Sequence, residues 1–322
     1  MPLFRGIMAS MKKLPNFNWT AQTSPGTGAY NNMASNGSLF LIFQNGVATA
    51  KTSTDAVTWT ARTLPSTAAW ASCAWNGSVF SLVAGGGGSA GTSAATSSDG
   101  ITWTARSLPS SQNWAAVAWG SSVFCAITNG NGTANNVAAT SSDGITWTGR
   151  TLPSTSNWAA IASSGSVFSA IAGNVFGSGS NVTNVAATSS DGITWTARTL
   201  PSSSAWTAIA WGSSVFCAIA GASGSATTVA ATSPDGATWT SRTLPAAQQW
   251  NKIAWNGSVF CATPGGNSAA STISATSPDG ITWTQRTLPA SLVWGGLAWN
   301  GTAFCVVTNT FGTAGSATAP MH

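Results

Sequence analysis

The most informative shortage in this 322-residue chain is of catalytic side chains. The sequence has no glutamate, its single histidine is His322 at the last position, and its single tyrosine is Tyr30. General acid–base and nucleophilic catalysis commonly depend on His, Glu or Tyr, and protein metal sites need clustered His, Cys, Asp or Glu. The sequence shows no such cluster. We therefore expect no enzyme activity, no cofactor and no metal site.

Charge is also scarce. Only 5% of the residues are charged, against about 25% in a typical soluble domain. The net charge of +5 comes from 11 Lys and Arg against 6 Asp. Most of the arginines recur at one fixed position of a repeat, so they are spread along the chain. Nucleic-acid binding usually needs a concentrated basic patch, and none is expected here. The low charge favours a rigid extracellular or particle-borne protein over a cytosolic enzyme.

Long apolar runs are missing too. No segment approaches the roughly 20 apolar residues of a transmembrane helix, so we expect no membrane insertion. The first fifteen residues lack the apolar stretch of a signal peptide. If the protein acts outside a cell, we expect it to leave by another route, such as assembly into a particle followed by lysis. The five cysteines predict no disulfide. Four of them follow a recurring Phe at equivalent places in different repeats, which are too far apart to be bridged: Cys125, Cys217, Cys261 and Cys305.

Tryptophan, by contrast, is abundant and regularly spaced. Seven marker tryptophans follow one another at intervals of 40, 44, 44, 48, 44 and 44 residues: Trp19, Trp59, Trp103, Trp147, Trp195, Trp239 and Trp283. An aromatic residue lies eleven positions after each marker, and a Phe lies 21 positions after it. A period of 40 to 48 residues in a chain rich in strand-forming residues is typical of a β-propeller with one blade per repeat.

Each repeat predicts four short antiparallel strands separated by Asn-Gly, Gly-Ser and Asp-Gly turns. In the fifth repeat these are WTAIAW, SVFCAI, TVAATS and GITWTARTL. The chain begins on an outer strand and ends on a third strand. We therefore predict an all-β, seven-bladed propeller whose ring is closed when the N-terminal strand completes the C-terminal blade, since an open array would expose two edges. Residues 1–15 form an N-terminal arm and residues 16–322 form the propeller.

The six aspartates each lie four residues before a marker tryptophan, mostly in the pattern S-[SP]-D-G-[IA]-T-W: Asp55, Asp99, Asp143, Asp191, Asp235 and Asp279. This pattern resembles the Asp-box, or bacterial-neuraminidase repeat, although here the glycine follows the aspartate directly. The resemblance implies a structural role, in which the carboxylate accepts hydrogen bonds from turn amides far from any active site. It does not extend to sialidase chemistry, which in that family needs an arginine cluster, a tyrosine nucleophile and a glutamate.

The longer phrase S-S-D-G-I-T-W-T-x-R-T-L-P, followed by W-x-x-I-A-W-x-G-S-V-F, is similar to repeats in tail-fibre and other virion proteins of bacteriophages, and in bacterial surface proteins. This similarity covers nearly the whole chain, from about residue 16 to 320. It implies a protein of the virion, with other virion proteins as partners.

Length varies in only one place. The spacing from marker Trp to Phe is constant, whereas the segment between the second and third strands changes in length. These segments are rich in Gly, Asn, Ser and Thr, which suits either sugar recognition or simple solvation. Candidate ligand-binding residues are Phe176, Asn181, Asn129, Asn131 and Phe311. Trp114 and Trp206, which open first strands, would either stack on sugars or pack in the core.

Together these features predict a virion-associated propeller that acts in host attachment or as a decoration module and binds host cell-surface glycan through the loops between second and third strands. Two alternatives stay open. One is a purely structural virion protein that docks to neighbouring subunits, and the other is a cellular lectin or scaffold.

Overall fold

The computed structural model describes residues 17–26, 28–85, 90–130, 134–173, 181–221, 226–265, 270–309 and 315–320. Over these ranges the chain forms 27 β-strands, and none of the described segments is a helix long and apolar enough to cross a membrane. The arm predicted at residues 1–15 lies outside the described residues.

Consecutive strands are joined by short connections and run antiparallel within each sheet. The first nine are β1 (Thr20–Gln22), β2 (Asn32–Ser35), β3 (Phe40–Phe43), β4 (Asn45–Ser53), β5 (Thr60–Trp75), β6 (Phe80–Ala84), β7 (Gly91–Ser97), β8 (Thr104–Gln112) and β9 (Trp114–Gly120). The next nine are β10 (Val123–Thr128), β11 (Asn135–Ser141), β12 (Thr148–Ser156), β13 (Trp158–Ser163), β14 (Phe168–Ala172), β15 (Thr183–Ser189), β16 (Thr196–Ser204), β17 (Trp206–Gly212) and β18 (Val215–Ala220). The last nine are β19 (Thr227–Ser233), β20 (Thr240–Gln248), β21 (Trp250–Trp255), β22 (Phe260–Pro264), β23 (Ser271–Ser277), β24 (Thr284–Leu292), β25 (Trp294–Trp299), β26 (Ala303–Thr308) and β27 (Ser316–Pro320).

These strands assemble into antiparallel sheets. Four sheets contain four consecutive strands each, namely β9–β12, β13–β16, β17–β20 and β21–β24. A fifth joins β25, β26 and β27 to β1. The remaining sheet runs from β2 to β8, because the long strand β5 pairs with β4 through its first half and with β6 through its second. The prediction of an all-β chain with four-stranded antiparallel sheets is confirmed.

The two ends of the described chain meet in one sheet. Strand β1 pairs with β27, with Thr20 opposite Thr318 and Gln22 opposite Ser316. In five of the sheets the strand that opens with the recurring aromatic lies at one edge, and in the sheet from β2 to β8 the edge strand β2 and the second half of β5 take its place. We call β2, the second half of β5, β9, β13, β17, β21 and β25 the inner strands. Each contacts the inner strand of the next repeat, and β25 contacts β2.

The core lies between neighbouring sheets and is built from the recurring aromatics. The tryptophans that open the inner strands are almost completely buried, with exposed fractions of 0 or 1%: Trp70, Trp114, Trp158, Trp206, Trp250 and Trp294. In the first five of these, the indole N–H donates to the carbonyl four residues earlier at 3.1–3.3 Å. Their one polar group is therefore paired inside the protein, as a buried indole requires.

The outer strands begin later than the sequence indicates. The fifth repeat predicts its outer strand over GITWTARTL, ending at Leu200, whereas β16 starts after the marker Trp195 and continues to Ser204. Two causes account for the difference. The aspartate turn occupies the chain as far as Trp195, and an outer strand tolerates Pro201 because its free edge needs no ladder hydrogen bond. Pairing resumes beyond the proline, where Ser204 lies opposite Thr183.

One buried position differs between the repeats, and in the first repeat it is Leu41. The residue after the recurring Phe is Ser81 or Ser169 in two repeats and cysteine in four, and all five cysteines of the chain are free thiols. Both serines have an exposed fraction of 0%, and within the described chain neither hydroxyl has a hydrogen-bond partner. A thiol is more easily buried than a hydroxyl, so the cysteines suit this site better.

Replacing Ser169 by cysteine should therefore stabilise the protein. An unpaired buried hydroxyl costs roughly 1–3 kcal/mol, and Ser169→Cys removes it while supplying the side chain found at Cys125 and Cys217. We expect the free energy of unfolding in urea, under reducing conditions, to rise by about 1 kcal/mol. Ser166→Cys, at an exposed turn of the same repeat, should leave it unchanged. A loss of stability in Ser169→Cys would contradict this account.

Candidate functional site

One end of the sheets is formed by six aspartate turns of nearly identical geometry. Each carboxylate Oδ1 accepts backbone N–H groups from the residues two and three positions later at 2.8–3.0 Å: Asp55, Asp99, Asp143, Asp191, Asp235 and Asp279. The serine two positions earlier donates its hydroxyl to the same oxygen at 2.8–3.0 Å. The carboxylate thus caps its own turn.

The backbone conformation of the residue after the aspartate explains why glycine recurs at that position. Gly144 has φ of 74° and its counterparts in four other turns have 73°, a left-handed conformation that costs L-residues energy. The first repeat has Ala56 at this position, with φ of 59°. The marker indole then donates to the carbonyl of this residue, as Trp147 does to Gly144 at 3.1 Å.

The turn hydrogen bonds lower the carboxylate pKa values. The amides of Thr58 and Val57, in that order, lower the pKa of Asp55 to about 2, against a smaller opposing effect of burial. At Asp279 burial is the largest influence and raises the pKa, but the amides of Thr282 and Ile281 outweigh it, so the pKa is still lowered. The other four carboxyl groups also have lowered pKa values, led by the amide three residues on.

Within the described ranges, the reactive side chains do not converge. Each aspartate is held in its own turn, and the described residues contain no group of three or more His, Cys, Asp or Glu that could hold a metal. Burial raises the pKa of the Cys125 thiol to about 12 and raises those of Cys73, Cys217, Cys261 and Cys305 as well. These thiols are protonated at neutral pH and are poor nucleophiles.

The opposite end of the sheets carries the variable loops. In an antiparallel sheet, the connections from second to third strand lie at the end opposite the aspartate turns. This loop end comprises the connections at 85–90, 129–134, 173–182, 221–226, 265–270 and 309–315 together with the connections from outer strands to the following inner strands.

Each of these loops starts from a fixed point. The N–H of its first residue donates to the carbonyl of the residue before an inner-strand tryptophan, at 2.7–2.9 Å: Gly85 to Ala69, Asn129 to Asn113, Gly173 to Asn157, Gly221 to Ala205, Gly265 to Gln249 and Asn309 to Val293. At Gly173 a Cβ would lie 2.1 Å from the carbonyl oxygen of Trp206, so the next inner strand leaves no room for a side chain. The loops are anchored at a rigid base.

The third and fourth repeats place carboxamides together on this base. We call the group Gln112, Asn113, Asn129, Asn135 and Asn157 the amide cluster. Asn135 Nδ2 donates to Gln112 Oε1 at 3.3 Å, and its Oδ1 accepts from the Thr128 hydroxyl. Asn129 Nδ2 donates to the carbonyl of Trp158, in the neighbouring repeat, at 3.4 Å.

Two members of the amide cluster have unused acceptors. The side-chain oxygens of Asn113 and Asn157 are buried, and within the described chain they accept no hydrogen bond. A buried acceptor without a donor is unfavourable, so a ligand or loop group that donates to it would stabilise the site. The amide cluster is thus a neutral, hydrogen-bonding surface at the base of the two neighbouring loops.

Of the five predicted loop residues, the structure describes two. Phe176, Asn131 and Phe311 lie outside the described residues. Asn181 is half-buried in the loop of the fourth repeat. Asn129 has an exposed fraction of 4% and joins two repeats through its amide, so it supports the base of the loop end.

Trp114 and Trp206 require a correction. Both have exposed fractions of 0%, and their indole N–H groups donate to the carbonyls of Ser110 and Ser202. Neither ring has surface on which a sugar could stack, because the adjacent sheets cover both faces. Of the two alternatives for these tryptophans, the structure supports core packing.

Sequence reasoning missed Gln112, Asn113, Asn135 and Asn157. A signal was available, because these carboxamides stand at repeat positions that hold Ser, Ala or Thr in several other copies. Departures from a repeat consensus mark positions that the shared fold does not require.

Comparisons with known proteins concern the fold. No protein-family model matches the chain, and no curated protein matches its sequence. Solved structures do match. Virginiamycin B lyase from Staphylococcus aureus is 12% identical with a TM-score of 0.75, over 95% of this chain and all of that one. YCF48 bound to D1 peptide is 14% identical with a TM-score of 0.66, over 96% and 97%.

A third similar structure is the Cps50 (Swd1) β-propeller domain of Myceliophteria thermophila, at 10% identity and a TM-score of 0.64, over 94% of this chain and 99% of that domain. All three are β-propellers, so this chain has a β-propeller fold. The prediction of a propeller repeat protein is confirmed at that level.

The comparisons correct one expectation. The sequence led us to expect that the chain is not an enzyme, but virginiamycin B lyase shows that enzymes are built on this fold. The missing residue types are therefore no ground for excluding catalysis. At 12% identity the likeness shows the fold alone, and it transfers no activity, substrate or catalytic residue.

The aspartate turns should contribute measurably to stability. Asp143→Ala removes the acceptor of the Ile145 and Thr146 amides, and losing such a cap costs roughly 1–2 kcal/mol. Asp143→Asn keeps an oxygen acceptor and should cost less. Urea unfolding followed by tryptophan fluorescence measures both. Equal losses in the two variants would contradict capping through hydrogen bonds and indicate that charge alone matters.

The same turns predict a dependence of stability on pH. A carboxylate whose pKa is lower in the folded than in the unfolded chain contributes stability above its unfolded pKa, about 3.9, and loses it as the pH falls through the folded value. We expect the free energy of unfolding to fall between about pH 4.5 and pH 2. A variant carrying both Asp99→Asn and Asp143→Asn should show a shallower fall. A flat profile over this interval would refute the assignment.

Proposed function

We propose that this chain is a closed seven-bladed propeller, carried on a virus particle, whose loop end binds glycan on the host cell surface. The observation that carries the proposal is the amide cluster, a group of carboxamides at the base of two neighbouring loops, two of which have buried oxygens that accept no hydrogen bond within the described chain. The ring, the binding surface and the particle are each supported by separate observations.

The closed ring is supported by two sets of contacts. The inner strands touch one another in the cyclic order β2, β5, β9, β13, β17, β21, β25, and β25 touches β2. The sheet of β25, β26 and β27 takes its fourth strand, β1, from the start of the chain. With seven repeats and β5 shared between two of them, each repeat forms one blade, and the N-terminal strand completes the last blade.

The glycan is supported by the chemistry of the amide cluster. A carboxamide presents both donors and an acceptor, which match the hydroxyl groups of a sugar without needing charge. The cluster includes Asn129, at which the loop of the third repeat begins, and the described part of the loop of the fourth repeat adds the half-buried Asn181. Binding residues commonly lie on loops held by a rigid scaffold.

The particle is supported by the sequence repeats. The phrase that joins the aspartate turn to the next inner strand resembles repeats of bacteriophage tail-fibre and virion proteins and runs through nearly the whole chain. In the same way, the aspartate turns support a relation to the Asp-box, because their carboxylates accept the turn amides that this relation implies. A surface of Ser, Thr, Asn and Gly with little charge suits a rigid particle component.

Docking to neighbouring virion subunits is the second candidate, and the aspartate-turn end favours it. Most of these turns expose an aliphatic side chain, with exposed fractions of 39–48%: Val57, Ile101, Ile145, Ile193 and Ile281. Apolar side chains at one end of the molecule, repeated in register, would suit contact with another protein. In this case glycan would not be bound.

A glycan array that includes host cell-envelope polysaccharide tests the leading proposal. We expect saturable binding by the wild-type protein, because a single set of sites is proposed. Gln112→Ala and Asn181→Ala should each weaken it by about tenfold, which corresponds to the loss of one good hydrogen bond, and Phe176→Ala should weaken it as well. Ile145→Ala lies at the opposite end of the third repeat and should leave binding unchanged.

Two results would overturn the proposal. One is the absence of saturable binding to any glycan, together with tight association to a single virion protein that Ile145→Ser weakens, which would favour docking. The other is glycan binding that the loop-end variants leave intact, which would place the site elsewhere on the molecule.

A further inference from the structure

The inner strands contain one position where a single repeat differs sharply from the rest. It is the residue two places after the opening aromatic, and it is occupied by Asn32, Ser72, Ala116, Ala160, Ala208, Lys252 and Gly296. All except Gly296 are half-buried, so they border space that solvent reaches. In six of the seven repeats the residue at this position is small or uncharged. Lys252 is the only cation among them.

The Lys252 side chain reaches across the neighbouring repeat. Its Nζ donates to Oδ1 of Asn32 at 3.3 Å, although the two residues are 220 positions apart in sequence. Strand β25 lies between their strands, because it contacts both β21 and β2. This strand carries Gly296 beside β2, where an added Cβ would lie 2.9 Å from the carbonyl carbon of Asn32.

Among the described residues the ammonium group has no acidic partner. It carries three N–H donors, and within the described chain Asn32 is its single identified acceptor. All six aspartates of the chain are held in their turns, and the sequence has no glutamate. The surrounding protein desolvates the group and lowers the pKa of Lys252 to about 8, so at neutral pH it is still mostly charged.

A second polar residue breaks the pattern in the same repeat. Lys252 pairs across the strands with Thr263, and paired residues of an antiparallel sheet project from the same face. Other repeats have Phe43, Val83, Ile127, Ile171 or Ile219 at the position of Thr263. Thr263 has an exposed fraction of 0%, and its hydroxyl finds no partner among the described residues.

These observations describe a site prepared for negative charge. Lys252 is a half-buried cation with no acidic partner among the described residues, and an anion beside it would offset the cost of its partial desolvation. The Asn32 carboxamide accepts from Lys252 through Oδ1 and still has its Nδ2 hydrogens to donate. An ammonium and an amide side by side match the oxygens of a carboxylate or phosphate.

We propose that Lys252 and Asn32 form a binding site for a small oxyanion, a carboxylate or phosphate group, at the inner strands. The site is separate from the amide cluster, since it is built by the sixth and first repeats and not by the third and fourth. It does not depend on the proposed attachment function. The bound group would neutralise Lys252 and link β21 to β2 across β25.

Calorimetric titration at pH 7 and constant ionic strength tests the site. The probes are sodium acetate, sodium phosphate and sodium sulfate, with sodium chloride as the reference, so that carboxylate and phosphate are distinguished. We expect saturable binding of at least one probe with one site per chain, and a matching rise in Tm that chloride does not produce. Lys252→Met should raise Kd by about tenfold or more, because a charge-assisted hydrogen bond is lost.

Two further variants, and the stability of Lys252→Met itself, make the result interpretable. Asn32→Ala should weaken binding to a smaller extent, because the ammonium remains. Lys51→Met removes a lysine outside the inner-strand position and should bind the probe as the wild-type protein does. Lys252→Met places an apolar chain where a desolvated charge stood, so it should fold at least as stably as the wild-type protein.

The inference is overturned if none of the oxyanions binds the wild-type protein above the chloride reference. It is also overturned if Lys252→Met retains wild-type affinity, since the anion would then lie elsewhere.

Discussion

The structure depends on the packing of sheet against sheet. A four-stranded sheet in this chain has apolar side chains on both faces, and a sheet so short cannot bury them by itself. The inner-strand tryptophans and the recurring phenylalanines fill the space between one sheet and the next, so every repeat completes the core of its neighbour. This requirement explains why the same aromatics return at the same places. It also explains why Trp114 and Trp206, which look like candidate ligand contacts in the sequence, are enclosed.

The regular core separates the two ends of the molecule. At one end, aspartate turns of matching geometry connect third and outer strands, and their carboxylates are used in hydrogen bonds to their own backbone. At the other end, the loops start from a common hydrogen bond to the preceding connection and then differ in length and sequence. The turns that stabilise the sheets therefore lie at one end of the molecule, and the loops that differ between repeats lie at the other. The amide cluster lies at the variable end, where a change of residue leaves the aspartate turns and the aromatic core intact.

In a repeat fold, a residue that differs from its counterparts in the other repeats stands at a position where the shared fold does not dictate the side chain. Ser81 and Ser169 stand where four other repeats have cysteine, and their hydroxyls, which have no partner among the described residues, are a cost that the fold tolerates. Lys252 and Thr263 depart together, in one repeat and on one face, and bring a charge to strands that are otherwise neutral. A single substitution is readily explained by drift within a tolerant scaffold. Lys252 has no acidic partner and Thr263 no hydrogen-bond partner among the described residues, and this pairing is the basis for proposing a ligand.

The sequence by itself determined the repeat, the four strands of each unit, the antiparallel turns and the aspartate pattern. Each of these depends on residues close together in the chain, whose spacing and turn chemistry express local physical preferences. Only the tertiary structure decided the bounds of the outer strands, where the proline of each LP pair is accepted at a free edge, and the burial of Trp114 and Trp206. It also decided the hydrogen bonds that join Gln112 to Asn135 and Lys252 to Asn32. Such contacts join side chains on different strands or in repeats that are not consecutive, and no local pattern encodes them because they depend on how the strands and sheets pack against one another.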